Sequence, residues 1–442
     1  MDALLNALAA GTPDAIRAFI SDNFAASALA EAPLDQRVQR LSGIAKQTGP
    51  LELVRVVEAG GSRPTFLART KSGEWIEVSL ILEDAPPRKI RNLRFEQSEG
   101  PDAAPKESRK ASDADAAAAA RARVKELAAS DAFSGVVLLA KDGKPFLLEA
   151  AGMADRGLGV PNRTDTKFNI GSINKIFTQV AIAQLAAEGR LALSDTIRRH
   201  LPDSRIPEAD RITIQQLLTM TSGMGDFFGE KFDAAAKDRI RTLRDYLALF
   251  ESDPLKFEPG TSRAYSNAGY VVLGLIVEKA SGRDYHDYVR ERILAPAGMK
   301  NTGVNSPDAV VPNRAAGYTR EKAGDAWSWN VYQLPGRSSS AGGGYSTAED
   351  LLAFDMALRR NALLPREWTD WFFGDKGAPP PGAGAAPRKR SGGLGFAGGT
   401  AGANAVVESD LDTGYTIVVL ANQDPPAAET LMKTLRQWLG LS

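Results

Sequence analysis

The chain has 442 residues, of which 43% are hydrophobic, 24% charged and 7% aromatic. That length gives a prior of two to three domains at roughly 150 residues each, and the apolar fraction excludes wholesale disorder. Lysine plus arginine number 54 and so do the acids, so the basic surplus that a general nucleic-acid binder needs is missing.

There are no cysteines and only two histidines, His200 and His286. Disulfides, thiolate metal sites, Fe–S clusters and a cysteine nucleophile are excluded, and a multi-histidine metal centre is disfavoured. No metal and no cofactor is expected. No segment approaches the roughly 18 apolar residues that cross a bilayer. The apolar run 271–277 reads as a buried helix. The N-terminus, Met1-Asp2-Ala3-Leu4-Leu5, lacks a basic leader region. The expected compartment is cytoplasmic for the sequence as written, and periplasmic or secreted if a signal peptide has been removed.

Residues 1–97 read as a small α+β domain. Leu4, Leu5, Leu8, Ile16 and Ile20 fall at helical spacing around a Gly11-Thr12-Pro13 break. A second helical stretch is expected from Leu34 to about Lys46. Four strand-like runs follow at 51–57, 64–69, 74–82 and 89–95. Ser62-Arg63, Lys71-Ser72-Gly73 and Pro86-Pro87 separate them as turns. Helices followed by an antiparallel meander resemble the order of an NTF2-like cone, and such a domain is a candidate for oligomerisation.

Residues 98–114 read as a linker, rich in charge and carrying Pro101 and Pro105. The alanine-rich stretch 114–129 is expected to be a solvated helix opening the next domain, 115–442. That domain begins with a hairpin, strands 135–140 and 145–150 around Asp142-Gly143. It ends with strands 404–408 and 415–421 and an amphipathic helix over 427–439. A long helical region lies between. One sheet closed by distant parts of the chain, beside a helical lobe, is the expected architecture. The Pro-, Gly- and Ala-rich segment 378–390 reads as a mobile surface loop.

Three segments carry candidate chemistry. In Gly171-Ser172-Ile173-Asn174-Lys175, Ser172 is expected to open an apolar helix that Gly189 ends. Residues i and i+3 share a helix face, so Ser172 and Lys175 point the same way. Burial lowers a lysine's pKa, and a neutral amine can take a hydroxyl's proton. The bland alternative is a capping serine followed by a surface lysine. In Tyr265-Ser266-Asn267, ahead of a helix expected from about Tyr270 to Lys279, the phenol can shuttle protons and Asn267 can hold both the lysine and the substrate. A helix-capping loop with a packed tyrosine is the competing reading. In Gly395-Phe396-Ala397-Gly398-Gly399-Thr400-Ala401-Gly402, a glycine-rich strand edge lets a ligand approach the backbone. An N–H there, at Gly399, can complete an oxyanion hole with that of Ser172.

S-x-x-K, then Y-x-N, then a glycine-rich strand together resemble the serine β-lactamase and penicillin-binding-protein superfamily. The resemblance is strongest to its class C-like branch, with family VIII carboxylesterases and D-amino-acid peptidases. The stretch from Ile212 to Gly223 and the stretch from Ala341 to Asp350, with its Ser346-to-Glu349 capping spacing, support it. It covers residues 115–442. It implies an α+β fold, a β-lactamase/DD-peptidase-like antiparallel sheet flanked by helices with a helical lobe. It also implies that Ser172 is acylated, that Lys175 and Tyr265 are its base system, and that Asn267 contacts substrate. Ser172 and Gly399 would supply the oxyanion N–H groups.

Two departures stand out. The third motif usually presents Lys or His, then a hydroxyl or small residue, then Gly, and here reads Phe396-Ala397-Gly398. Met220 stands where the family often has His. Phe396, Gly398 and Gly399 would line the substrate site, with an apolar ring where a substrate carboxylate would otherwise be met. The expected function is therefore a serine hydrolase acting through an acyl-enzyme on a small ester, or an amide. A β-lactamase or D-amino-acid peptidase is the alternative. A noncatalytic binding or regulatory protein retaining the fold is the alternative of another class. No G-x-S-x-G is present, which disfavours an α/β-hydrolase, and His200 and His286 read as surface residues.

Overall fold

The computed structural model describes residues 1–31, 34–58, 64–71, 73–83, 87–98, 112–321, 325–382 and 392–441. The chain forms two compact units, Met1–Arg109 and Lys110–Ser442. The segment read as a linker lies largely outside the described residues. Its ends are structured, since Ser98 closes a strand and Asp113 opens a helix.

In the first unit, α1 (Asp2–Ala10) stops at Gly11, whose φ of 63° is left-handed. Thr12 caps α2 (Pro13–Asn23) by accepting from Ala15 N at 3.4 Å. A short helix that the sequence pattern did not reveal, α3 (Ala26–Glu31), precedes α4 (Leu34–Thr48). Strands β1 (Glu52–Glu58), β2 (Thr65–Arg69), β3 (Trp75–Leu82) and β4 (Ile90–Ser98) form an antiparallel meander in chain order. They lie within a few residues of the expected runs. The turn residues Ser62, Arg63, Ser72 and Pro86 fall outside the described residues. Leu4, Leu8, Ile16 and Ile20 pack with Leu41, Phe66, Val78 and Leu93 into this unit's own core.

The second unit opens with α5 (Asp113–Ala129). This helix is not simply solvated. Ala116, Ala117, Ala120 and Val124 are buried, and the small side chains let it lie close against the sheet. Strands β5 (Gly135–Lys141) and β6 (Lys144–Ala151) form the expected hairpin. Near the C-terminus come β7 (Gly395–Thr400), β8 (Ala403–Ser409) and β9 (Tyr415–Ala421). The five pair antiparallel in the order β7-β8-β9-β5-β6, so both ends of the unit close one sheet. Its centre is covered on both faces. Val137 and Leu139 pack towards α5 and the C-terminal helix, 427–439, while Val136 and Leu138 face the helical lobe.

The lobe is organised by two helices, α6 (Lys175–Ala187) and α7 (Asn267–Ser281). Both are buried all round over most of their length, as their near-continuous apolar sequences require. Helix α8 (Ala348–Arg359) packs beside them and is capped by Thr347, one residue later than the Ser346–Glu349 spacing suggested. The described chain thus has the expected α+β architecture, an antiparallel sheet flanked by helices with a helical lobe. The segment 378–390 lies outside the described residues from 383 onward.

Candidate active site

Ser172 does not open the α-helix. It lies in one turn of 3-10 helix, Gly171–Asn174, and α6 starts at Lys175. The spacing argument survives the change, because i and i+3 eclipse in a 3-10 turn. Lys175 Nζ lies 3.2 Å from Ser172 Oγ. Gly171, with φ of 48°, sets the turn where a side chain would be strained. An added Cβ there would come within 2.8 Å of Gly399 N.

Helix α7 begins at Asn267, three residues earlier than expected, because Ser266 caps it by accepting from Gly269 N at 2.9 Å. The earlier start fixes the asparagine on the first turn. Its Oδ1 accepts from Lys175 Nζ at 2.6 Å. Tyr265, one residue outside the cap, stays half-exposed, and its Oη lies 2.6 Å from Ser172 Oγ. Lys175 also stands 4.8 Å above the Tyr265 ring centroid.

A third contact to the lysine comes from a segment read only as supporting the resemblance. Lys175 Nζ donates to Ala341 O at 2.5 Å. The glycines that follow allow this approach. A Cβ on Gly342 would meet Gly171 O at 3.2 Å, and one on Gly344 would meet Asn174 Oδ1 at 2.4 Å. Gly343 N donates back to Gly171 O at 3.1 Å.

Strand β7 is a sheet edge. Ser409 N donates to Leu394 O, so in this ladder the alternate pairs Phe396–Val407 and Gly398–Ala405 turn their backbone groups towards β8. Gly399 therefore directs its N–H off the open edge. Gly398 faces the 3-10 turn. A Cβ on it would lie 2.1 Å from Ile170 O and 2.7 Å from Ser172 N. The structure thus brings Ser172, Lys175, Tyr265, Asn267, Gly398 and Gly399 together. Phe396 is on the same face of β7 as Gly398, and its ring is partly spent packing against the main core rather than wholly presented outward.

Besides the Ala341 carbonyl, a second contact at the site was missed. Asp226 Oδ2 accepts from Asn267 Nδ2 at 2.8 Å. The available signal was that Asp226 is the only charged residue between Ile212 and Gly229. The expectation of surface histidines also fails for His200, which is buried with Nε2 3.0 Å from Asp195 Oδ2. His286 is partly buried, and burial and Arg337 lower its pKa to about 4. Neither histidine reaches Ser172.

The electrostatics follow from burial. Lys175 is almost completely buried, and desolvation lowers its pKa from 10.5 to about 7 against the opposing charge of Asp226. Burial raises the Tyr265 phenol, the Ser172 hydrogen bond opposes this, and Asp226 adds to it, so the phenol is neutral at neutral pH. An ammonium at Nζ would donate to Asn267 Oδ1, Ala341 O and Ser172 Oγ. The neutral amine keeps the first two donations and leaves its lone pair to accept the Ser172 proton. Among the described residues no group of three or more His, Cys, Asp or Glu forms a metal site. Among the described residues no helix is long and apolar enough to cross a membrane.

This arrangement of hydroxyl, buried amine, phenol and edge-strand N–H defines a class, and sequence comparison agrees. The family model for Beta-lactamase matches residues 120–441, and the chain belongs to that family. It is similar to "Penicillin-binding protein 4*" of Bacillus subtilis (strain 168), 31% identical over 248 residues, covering 53% of this chain and 54% of that one. The chain spans about half the length of the curated relatives it matches. Among solved structures it is similar to a penicillin binding protein from Bacillus halodurans, with 30% identity and a TM-score of 0.62, covering 70% of this chain and 98% of that one. A D-amino acid amidase from Ochrobactrum anthropi SV3 matches at 26% identity and a TM-score of 0.62, covering 74% and 98%.

Proposed function

We propose that the chain is a serine hydrolase that cleaves small uncharged esters through an acyl-enzyme on Ser172. The observation that carries this reading is the 3.2 Å approach of a buried, easily neutralised Lys175 amine to Ser172 Oγ. In the proposed sequence Nζ accepts the Ser172 proton as Oγ bonds to the ester carbonyl carbon. The N–H groups of Ser172 and Gly399 receive the developing oxyanion. Tyr265, 2.6 Å from Oγ, passes its proton to the leaving alkoxide as the C–O bond breaks and is reprotonated by the Lys175 ammonium, so the acyl-enzyme again holds a neutral phenol and a neutral amine. Water then repeats the attack with the same groups, releasing the acid and restoring the Ser172 hydroxyl.

Preference for an ester over a β-lactam rests on β7. Phe396 and Ala397 offer neither cation nor hydroxyl to a substrate carboxylate, and a charge-assisted hydrogen bond there is worth about 1.5–3 kcal/mol. The class C-like, family VIII esterase branch is the relationship that this chemistry favours. A D-amino-acid amidase is the second reading, because a protein of that name shares the fold along nearly its whole length.

The test labels the full chain with a fluorophosphonate, maps the adduct, and compares kcat/KM for a short-chain p-nitrophenyl ester, a chromogenic cephalosporin and D-phenylalanine amide. An adduct on Ser172, turnover abolished by Ser172→Ala and a preference for the ester are expected. Preference for the cephalosporin or the amide overturns the esterase assignment. Full turnover by Ser172→Ala overturns the mechanism.

A further inference from the structure

The first unit contains a cavity of about 690 Å³ between α4 and the β3–β4 side of its sheet. That volume falls within the range of small-molecule sites, roughly 300–1,000 Å³. Its floor is apolar and largely buried, with Ile20, Phe24, Leu41 and Leu93. Its charged lining is one-signed, with three arginines, Arg37, Arg40 and Arg91, and no acid among the described lining residues.

The arginines differ in how they are held. Arg37 Nη2 donates to Ala28 O at 2.6 Å, and its guanidinium stands 5.1 Å from the Phe24 ring centroid, so it forms part of the wall. Arg40 is exposed one turn further along α4. Arg91 comes from the opposite wall, at a β-bulge. Ile81 pairs with Asn92 and Leu82 with Ile90, which leaves Arg91 as the extra residue of β4. The nearest acid on α4, Asp35, is engaged by Arg17.

We propose that this cavity binds a single-chain amphipathic carboxylate, with the hydrocarbon over Phe24, Leu41 and Leu93 and the carboxylate received by Arg40 and Arg91. An apolar floor alone would accept any hydrocarbon. Two guanidiniums lining the same cavity from opposite walls favour an anion, and the planar fork of each matches a carboxylate. A cationic or neutral head group would leave two positive charges uncompensated at the mouth. The site is independent of the acyl-enzyme reading of the second unit.

Decanoate, below its micelle concentration, is titrated calorimetrically into the full chain, alongside 1-decanol and decyltrimethylammonium. One decanoate per chain is expected, with the alcohol weaker and the ammonium weakest. The exposed-residue variant Arg40→Gln/Arg91→Gln should weaken decanoate by at least about tenfold, the scale of one charge-assisted contact. It should leave the melting temperature and ester turnover unchanged. Ile44→Trp, which fills the cavity from α4, should remove binding in a chain whose melting curve stays cooperative. Unchanged decanoate affinity in the double arginine variant overturns the proposal. So does equal binding of decyltrimethylammonium, or loss of decanoate binding when the fluorophosphonate blocks the second unit.

Discussion

Asp226 accepts a hydrogen bond from the side-chain amide of Asn267 at 2.8 Å, and this contact decides which end of that amide faces the lysine. With Nδ2 committed to a carboxylate, Oδ1 is left to accept from Lys175 Nζ at 2.6 Å. The carboxylate also stabilises the ammonium form of Lys175, opposing the desolvation that brings its pKa to about 7.

Asp226→Asn keeps an acceptor for Asn267 and removes the charge. The Lys175 amine should then lose its proton more easily. The acid limb of the kcat/KM profile for an ester should move to lower pH, with turnover near neutrality little changed. Asp226→Ala removes the acceptor as well, so the Asn267 amide loses its anchor and kcat should fall by about tenfold, the scale of one net hydrogen bond. An acid limb that does not move in Asp226→Asn would show that this charge does not reach the amine.

Gly398 is the position where β7 comes closest to the 3-10 turn. A methyl group there would sit 2.1 Å from Ile170 O and 2.7 Å from Ser172 N, both backbone atoms that cannot swing aside. Gly398→Ala must push the edge strand away from Ser172 and misplace the Gly399 N–H. Since β7 is an edge strand, the chain should remain folded. kcat should drop by about 10²–10³, the loss that accompanies removal of one oxyanion donor. Near-normal turnover with an unchanged melting temperature would place the oxyanion donors elsewhere.

How far this site could be read in advance depended on the distance along the chain between partners. Ser172 and Lys175 are three residues apart, so local geometry alone set them on one side of a turn, whether α or 3-10. Tyr265 and Asn267 stood out as residue types suited to moving a proton and holding an amine, but only the resemblance tied them to Ser172, since no local rule joins them to residue 172. Asp226 and the Ala341 carbonyl escaped because each acts through a fold-level contact. Periodicity does not report which carbonyl a buried lysine will find. The terminal strands and the final helix were legible because apolar runs and turn residues delimit them. The burial of His200 was not, because its sequence neighbours Arg198 and Arg199 are charged and its partner Asp195 is visible only once the turn between them is closed. The packing of α5 was hidden for another reason: alanine is both a strong helix former and a small interface residue, and composition alone does not separate the two roles.

The boundary between the units makes a separate prediction. Ser112 caps α5 by accepting from Asp115 N at 3.1 Å, and Tyr415 Oη donates to Asp113 Oδ1 at 2.5 Å. A fragment covering 110–442 retains both contacts and should fold and turn over a small ester at the rate of the full chain. A fragment covering 116–442 loses the cap and the tyrosine's acceptor. Its melting temperature should be lower by about 2–4 °C, with kcat unchanged. An insoluble or inactive 110–442 fragment would mean that the catalytic unit depends on the first 109 residues.

Lys175 also ties stability to pH. Its pKa is about 7 in the folded chain and near 10.5 when the lysine is solvated. Between these values the unfolded chain holds a proton that the folded chain has lost, so the lysine's contribution to stability improves as pH rises. Below about 7 both states are protonated, and the folded chain bears the full cost of a desolvated ammonium. Replacing the lysine with methionine, similar in length and apolar, removes that cost. It also leaves Asn267 Oδ1 and Ala341 O without their donor, at about 1–3 kcal/mol for a buried polar group. The second effect is nearly independent of pH and the first is not. The difference in melting temperature, Lys175→Met minus wild type, should therefore be most positive at about pH 6 and should fall steadily towards pH 10. The measurement is a set of thermal melts across that range for both proteins. A difference that stays flat with pH, or that grows towards pH 10, would mean that the buried amine is not held neutral by its surroundings, and Lys175 would lose its standing as the group that takes the Ser172 proton.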